Sequence, residues 1–119
     1  MKAQLCLGTA QFGSNYGITN QFGKPSNEEI DLILENALNY NISFFDTANS
    51  YGNSESLIGN KLKNKSLKFI TKFSSGIKDS YTDKSITPLE ENFKETLKNL
   101  KRNNIDSYLL HNSNDLKKV

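Results

Sequence analysis

Two periods of apolar and polar residues run along the chain, and the switches between them mark its elements. Leu5-Cys6-Leu7 is a short apolar run closed by Gly8-Thr9. That is the pattern of a buried strand, with Cys6 as a small core residue. A Gly- and Asn-rich stretch through Gly13, Gly17 and Gly23 ends at Pro25 and reads as a loop. Ser26 and Glu29 stand at the S-x-x-E spacing of a capping box, which satisfies two backbone amides at a helix start. Ile30, Ile33, Leu34, Ala37 and Leu38 follow as one helical stripe that fades near Tyr40 and Asn41. Residues 42–45 form the next strand, ended by Asp46-Thr47-Ala48, and a loop carries Tyr51-Gly52. A helix from about Ser54 presents Leu57, Ile58 and Leu62; a third strand spans 68–73; residues 74–86 are a polar loop. Thr87-Pro88-Leu89-Glu90 reads as a second capping box with proline at the first helical position. Leu89, Phe93, Leu97 and Leu100 mark that helix, and residues 105–110 form a fourth strand ending at His111.

The order is β-α-β-α-β-α-β. Strands that alternate with helices imply parallel pairing and right-handed crossovers. Ligands of such folds bind at the carboxyl ends of the strands. Gly8-Thr9, Asp46, Lys72 and His111 all fall there, with Tyr51 in the loop after Asp46. Because side chains alternate along a strand, Asp46 shares a face with Phe44, Lys72 with Ile70, and His111 with Leu109. Phe45 and Leu110 then face the helices.

Composition narrows the function. The chain has 119 residues, one domain's worth, with 35% hydrophobic and 24% charged residues. A net charge of +2 gives no electrostatic case for nucleic acid or a membrane surface. Lys61, Lys63, Lys65 and Lys68 read as a solvated helix end and loop. The apolar runs are too short to span a bilayer, and the first residues lack a signal-peptide core. One cysteine permits no intrachain disulfide, and a cytoplasmic location is expected.

Each strand-end residue has a plain structural reading. An aspartate after a strand often caps a helix, a lysine reaches for water, a lone histidine is often a satisfied surface or core residue, and a tyrosine beside glycine can cover a sheet end. Together, at three successive strand ends, they make a coherent chemical set. Tyrosine is a poor acid at neutral pH, with a reference pKa of roughly 10. A nearby ammonium favours its phenolate, and an aspartate holds that ammonium charged and aimed. A histidine can orient a substrate oxygen. The set can protonate a carbonyl oxygen while a hydride reaches the carbon, or run the reverse. One histidine and no clustered cysteines give no metal set, and no G-x-S-x-G elbow supports a serine triad.

These residues also carry a family likeness. The segments Leu7-Gly8-Thr9-Ala10-Gln11-Phe12-Gly13, Phe45-Asp46-Thr47-Ala48-Asn49-Ser50-Tyr51-Gly52, Ile70-Thr71-Lys72 and Ile105-Asp106-Ser107-Tyr108-Leu109-Leu110-His111 together resemble the aldo-keto reductases, and Glu55 with Leu57-Ile58-Gly59 extends the match. The resemblance implies an α/β fold, a parallel (β/α) barrel of the TIM type, of which residues 1–119 would be the N-terminal part, the first four βα units. It implies reduction of aldehydes or ketones with NADPH, with NADH as the alternative. Tyr51 would be the proton donor, Lys72 and Asp46 its tuning pair, and His111 the substrate-orienting residue. Gly8, Thr9 and Asp46 would lie beside the nicotinamide. Asn15-Tyr16-Gly17-Ile18 points to a bacterial-type subgroup, for which a sugar-derived carbonyl is one candidate substrate.

A (β/α)8 barrel takes about 250 residues. The expectation is therefore a truncated or half barrel with the chemical residues present and most of the nucleotide cradle missing. Asp115 to Val119 read as the lead-in to a further helix. Two open sheet edges leave self-association as an expected behaviour. A non-catalytic binding or regulatory module on the same scaffold is the alternative function. A Rossmann domain is disfavoured because residues 8–13 lack the G-x-G-x-x-G spacing.

Overall fold

The structure, a computed structural model, describes residues 4–63, 65–76 and 80–118. Four strands, β1 (Cys6–Gly8), β2 (Phe44–Asp46), β3 (Lys68–Phe73) and β4 (Ser107–Leu110), form one sheet. Their order is β1-β2-β3-β4 and every neighbouring pair is parallel. Between them lie a single helical turn, α1 (Ala10–Gly13), and three longer helices, α2 (Asn27–Asn39), α3 (Ser54–Leu62) and α4 (Ile86–Leu100). Short 3-10 turns at Asp83–Ser85 and Ser113–Lys118 precede α4 and follow β4. The parts of the expected elements that fall on residues 1–3, 64, 77–79 and 119 lie outside the described residues.

The alternation of side chains decides where the core sits. Leu7, Phe45 and Phe69 turn toward the helices and meet Phe12, Ile30, Leu34, Ile58 and Leu100 in one apolar cluster. Phe45 and Phe69 are fully enclosed, with ring centroids 6.0 Å apart. Burial of each contributes about 1.5–3 kcal/mol. Phe44, Ile70 and Leu109 take the other face, beside Asp46 and Lys72. Leu109 is 47% exposed there.

Helix α2 starts as its capping box predicts. The Glu29 amide donates to Ser26 Oγ at 3.2 Å, and the Ser26 amide donates to Glu29 Oε2 at 2.8 Å. Ile30, Leu34 and Ala37 bury its inner face, while Ile33 at the stripe's edge is exposed. The helix ends where Asn41 takes a left-handed conformation, φ 59°, which asparagine tolerates better than most residues.

Five expectations need correction. β2 begins at Phe44, not 42, and takes in Asp46. Cys6 is exposed, not a core residue, because β1 is an edge strand in register with Phe44 on the open face. β1 spans Cys6–Gly8, and Leu5 ahead of it is exposed. The capping box at Thr87 does not form: α4 begins earlier, at Ile86, after Ser85, whose hydroxyl accepts instead from the Thr82 amide at 2.9 Å. Pro88 thus sits third in the helix, still among positions whose N–H would have no intrahelical partner. β4 begins at Ser107, not 105, because Asp106 Oδ2 accepts the Phe69 amide at 2.9 Å where a ladder carbonyl would stand.

Gly59 lets α3 and α4 meet at backbone distance. A Cβ there would stand 2.1 Å from the Asn99 carbonyl oxygen and 2.7 Å from Leu100 Cα. In an exposed helix, Gly→Ala stabilises by about 1 kcal/mol; here the collision reverses the sign. Gly59→Ala is expected to destabilise the chain by about 1–3 kcal/mol in urea unfolding. An unchanged or raised midpoint would contradict the close packing.

Candidate active site

The carboxyl ends of β2 and β3 bring Asp46 and Lys72 together. The register pairs Asp46 with Ile70, two residues before Lys72 on the same face. Lys72 Nζ donates to Asp46 Oδ1 at 2.5 Å and to the Thr47 carbonyl at 2.9 Å. Both side chains stay partly open, at 19% and 32% exposure, so the pair faces a ligand-accessible surface. The other Asp46 oxygen has no hydrogen-bond partner among the described residues.

Tyr51 reaches the pair from a tight turn. Its amide donates to the Ala48 carbonyl at 3.1 Å, and its carbonyl accepts from the Ser54 amide at 3.0 Å. Gly52 is left-handed, φ 56°, and a Cβ on it would lie 2.3 Å from the Gly13 carbonyl oxygen. A Cβ on Gly13 would in turn lie 1.5 Å from the Tyr51 carbonyl oxygen. The two glycines thus let α1 and the Tyr51 turn touch backbone to backbone. Lys72 Nζ sits 5.3 Å from the Tyr51 ring centroid, within cation–π range. Tyr16 flanks the same ring at 6.1 Å.

His111 closes the group. Its amide donates to the Phe73 carbonyl at 2.9 Å, continuing the β3–β4 ladder. Its ring meets the Tyr51 ring edge-on, with centroids 5.5 Å apart. Nδ1 shares a hydrogen bond of 3.1 Å with Ser50 Oγ, which leaves Nε2 as the nitrogen available to a ligand. All four expected residues therefore meet at one end of the sheet.

The expected cofactor residues divide. Gly8 pairs with Asp46 and is exposed, and a Cβ there would meet nothing within 4 Å. Thr9 is fully buried. Its hydroxyl donates to the Asp46 carbonyl at 3.0 Å and accepts from Ser54 Oγ at 2.8 Å. It supports Asp46 from beneath.

Beneath the site runs a row of buried hydroxyls, of which the sequence pointed only to Thr9. Continuing the strand register by one residue sets Thr9 beside Thr47, and Thr47 beside Thr71. All three are fully buried. Ser54 Oγ, at the start of α3, joins the first two; Thr47 Oγ1 lies 3.2 Å from it. Glu55, 2% exposed, accepts from Thr71 Oγ1 at 2.7 Å and from Thr96 Oγ1 at 3.2 Å. Burial raises the Glu55 carboxyl above its ordinary value, against the opposing effect of the Thr71, Asn99 and Thr96 hydrogen bonds. Partial desolvation, and next the Asp46 charge, raise the Cys6 thiol, so Cys6 is protonated at neutral pH. The readable signal for the row was a threonine next to each strand-end position.

A four-stranded parallel unit with its polar group at the strand carboxyl ends defines a (β/α)-barrel type of site. The family model for the aldo/keto reductase family matches residues 4–117, and the chain belongs to that family. A provisionally assigned aldo-keto reductase from Pseudomonas aeruginosa superposes with a TM-score of 0.77 at 27% identity, covering 97% of this chain and 45% of that one. A second structure so described from the same organism gives 0.75 at 28% identity, covering 97% and 44%. The thermostable aldo-keto reductase Tm1743, in complex with the inhibitor epalrestat, gives 0.64 at 27% identity, covering 91% and 38%. The four strands and their helices match the first βα units of such a barrel. The chain spans less than half the length of these structures. No curated protein matches the chain significantly. Among the described residues, no helix is long and apolar enough to cross a membrane.

The raised carboxyl of Glu55 has a consequence for stability. A carboxyl that protonates more readily in the folded chain contributes stability below its ordinary value, and that contribution is lost as pH rises through the raised one. Measured against Glu55→Gln, wild-type unfolding free energy should fall as pH rises from the ordinary value of 4.5. A difference that stays flat, or rises with pH, would show that Glu55 is not desolvated. Denaturant titrations of both proteins between pH 4 and 8 would read it.

Proposed function

We propose that residues 1–119 are the N-terminal part of an oxidoreductase that reduces an aldehyde or ketone to an alcohol with NADPH, NADH being the alternative donor. The observation that carries this is Lys72, bound to Asp46 at 2.5 Å with the Tyr51 ring 5.3 Å from its Nζ, on an accessible face. Tyr51 gives its phenolic proton to the substrate oxygen. Lys72, aimed by Asp46, stabilises the phenolate left behind. His111, held by Ser50, presents Nε2 to the same oxygen and orients it.

The free space over Gly8 and the unpaired Asp46 oxygen fit the nicotinamide end of the cofactor, and these two residues would hold it. When bound, the nicotinamide supplies a hydride to the carbonyl carbon. Thr9 acts through Asp46 in this scheme. The residues for the phosphates and adenosine are assigned to the part of the relatives that this chain does not span. The substrate is a small carbonyl compound, with a sugar-derived one as a candidate.

The relatives' greater length favours a second reading, a non-catalytic binding module. Turnover of 4-nitrobenzaldehyde with NADPH separates the two. A slow wild-type rate that drops at least about 100-fold in Tyr51→Phe is expected. A rate indifferent to that substitution removes Tyr51 from its role, and no turnover at all favours the binding module. Fluorescence titration should show NADPH binding weaker than the low micromolar range; tighter binding would mean that this chain alone holds the cofactor.

The open edges β1 and β4 are expected to drive self-association. Light scattering should then give a mass above the 13.4 kDa of one chain, and a monomer at every concentration would count against it.

A further inference from the structure

Tyr51 and Lys72 belong to different elements. Tyr51 lies in the turn that leads into α3, and Lys72 stands on β3. Among the described residues, the side-chain hydrogen bond that joins α3 to β3 runs from Thr71 Oγ1 to Glu55 Oε1, at 2.7 Å. Glu55 follows Tyr51 by four residues, across the turn closed by the Ser54 amide on the Tyr51 carbonyl. Thr71 is the immediate neighbour of Lys72. One path from phenol to ammonium is therefore covalent except for this buried bond; on the other side of Tyr51, the Asn49 amide on the Lys72 carbonyl at 3.0 Å and Lys72 Nζ on the Thr47 carbonyl at 2.9 Å also tie the two together. Glu55 Oε1 also accepts from Thr96 Oγ1 of α4 at 3.2 Å, so Glu55 is tied to α4 as well as to β3.

A buried carboxylate is a costly way to fill this space. Glu55 is 2% exposed, and an apolar side chain there would need no partners. What the acid adds is direction, because its oxygens fix two hydroxyls at set distances. Ser54 does the same for the neighbouring strands, donating to the Thr9 carbonyl at 2.9 Å and lying 3.2 Å from Thr47 Oγ1. The first turn of α3 thus bonds to the chain at the ends of β1, β2 and β3.

Taken with the reading of Tyr51 and Lys72 as the reacting pair, we propose that Glu55 is a positioning residue: through Thr71 it sets the distance of Lys72 from the Tyr51 ring. Glu55 touches no ligand in this scheme. Its effect reaches the site through a strand neighbour and a turn.

The test needs a signal from the pair itself. The Tyr51 ring, 5.3 Å from Lys72 Nζ, should displace the resonances of the Lys72 ε-methylene, which can be followed in the chain labelled with 13C-lysine and assigned by its loss in Lys72→Arg. Tyr51→Leu should abolish the displacement. Glu55→Ala and Thr71→Val should shift the signal toward that of the other lysines. Glu55→Gln and Thr71→Ser, which keep an acceptor and a hydroxyl, should leave it in place. Leu34→Val, a core change on α2, should lower stability without moving it, which separates positioning from general loosening. Where the chain turns over 4-nitrobenzaldehyde, Glu55→Ala should lower kcat on the order of 100-fold with little change in KM. The resonance decides the matter with or without turnover. A folded Glu55→Ala with the Lys72 signal unmoved overturns the proposal, and so does a wild-type signal that carries no displacement. If Glu55→Ala does not fold, Thr71→Val takes its place, and a Lys72 signal unmoved there overturns the proposal equally.

Discussion

The alternation of side chains across a parallel sheet is the constraint on which this structure rests. At each of three strand ends, one residue turns to the open face and its neighbour turns to the helices. Gly8, Asp46 and Lys72 take the open face, and Thr9, Thr47 and Thr71 the covered one. A shift of one residue in β2 or β3 would exchange the two sets, burying a charge and exposing a hydroxyl. The site and the polar row beneath it are two sides of one register.

That register also explains why polar groups at the strand ends are tolerated beside an apolar core. Each hydroxyl of the threonine row has a partner. Thr9 donates to the Asp46 carbonyl, Ser54 to the Thr9 carbonyl, and Thr71 to Glu55. A buried hydroxyl without a partner costs about 1–3 kcal/mol, so a row of them would be untenable unless α3 began with residues able to answer. Ser54 and Glu55 are those residues. The helix start and the strand ends are therefore specified together, and the Tyr51 turn, pinned between α1 and α3 by Gly13 and Gly52, comes to rest above them.

Much of this was legible in the chain itself. The helical stripe from Ile30 to Ala37 and its capping box mark α2 because local hydrogen bonds and local periodicity decide both. The placement of Asp46, Lys72 and His111 on one face follows from strand parity, which needs no tertiary information. What failed did so where a distant group intervened. Cys6 reads as core until its strand proves to be an edge with one face open. Thr87 and Glu90 have the spacing of a cap, but the Thr82 turn starts the helix earlier through Ser85. Ile105 looks like strand until the Asp106 carboxylate takes the Phe69 amide, while the Asp106 amide keeps the other half of the ladder on the Phe69 carbonyl. The burial of Thr9 was equally unreadable, since its hydroxyl meets Ser54, 45 residues away. Glu55 is visible only as a motif letter, since nothing local says that Thr71 and Thr96 will reach it.

The contacts that set the site are all internal to residues 8–111. Asp46 holds Lys72, the Ala48 and Ser54 contacts hold the Tyr51 turn, Ser50 and the Phe73 carbonyl hold His111, and Glu55 ties α3 to β3. None of them depends on the open face being covered. Phe44, Ile70 and Leu109 on that face do gain from a cover, because apolar area left in water forfeits about 25 cal/mol per Å2. The two needs are physically separate. Closing the open face would add burial and a wall for a ligand, while the distances among Tyr51, Lys72 and Asp46 are already set by the Lys72–Asp46 contact itself and by the turn and helix contacts beneath it.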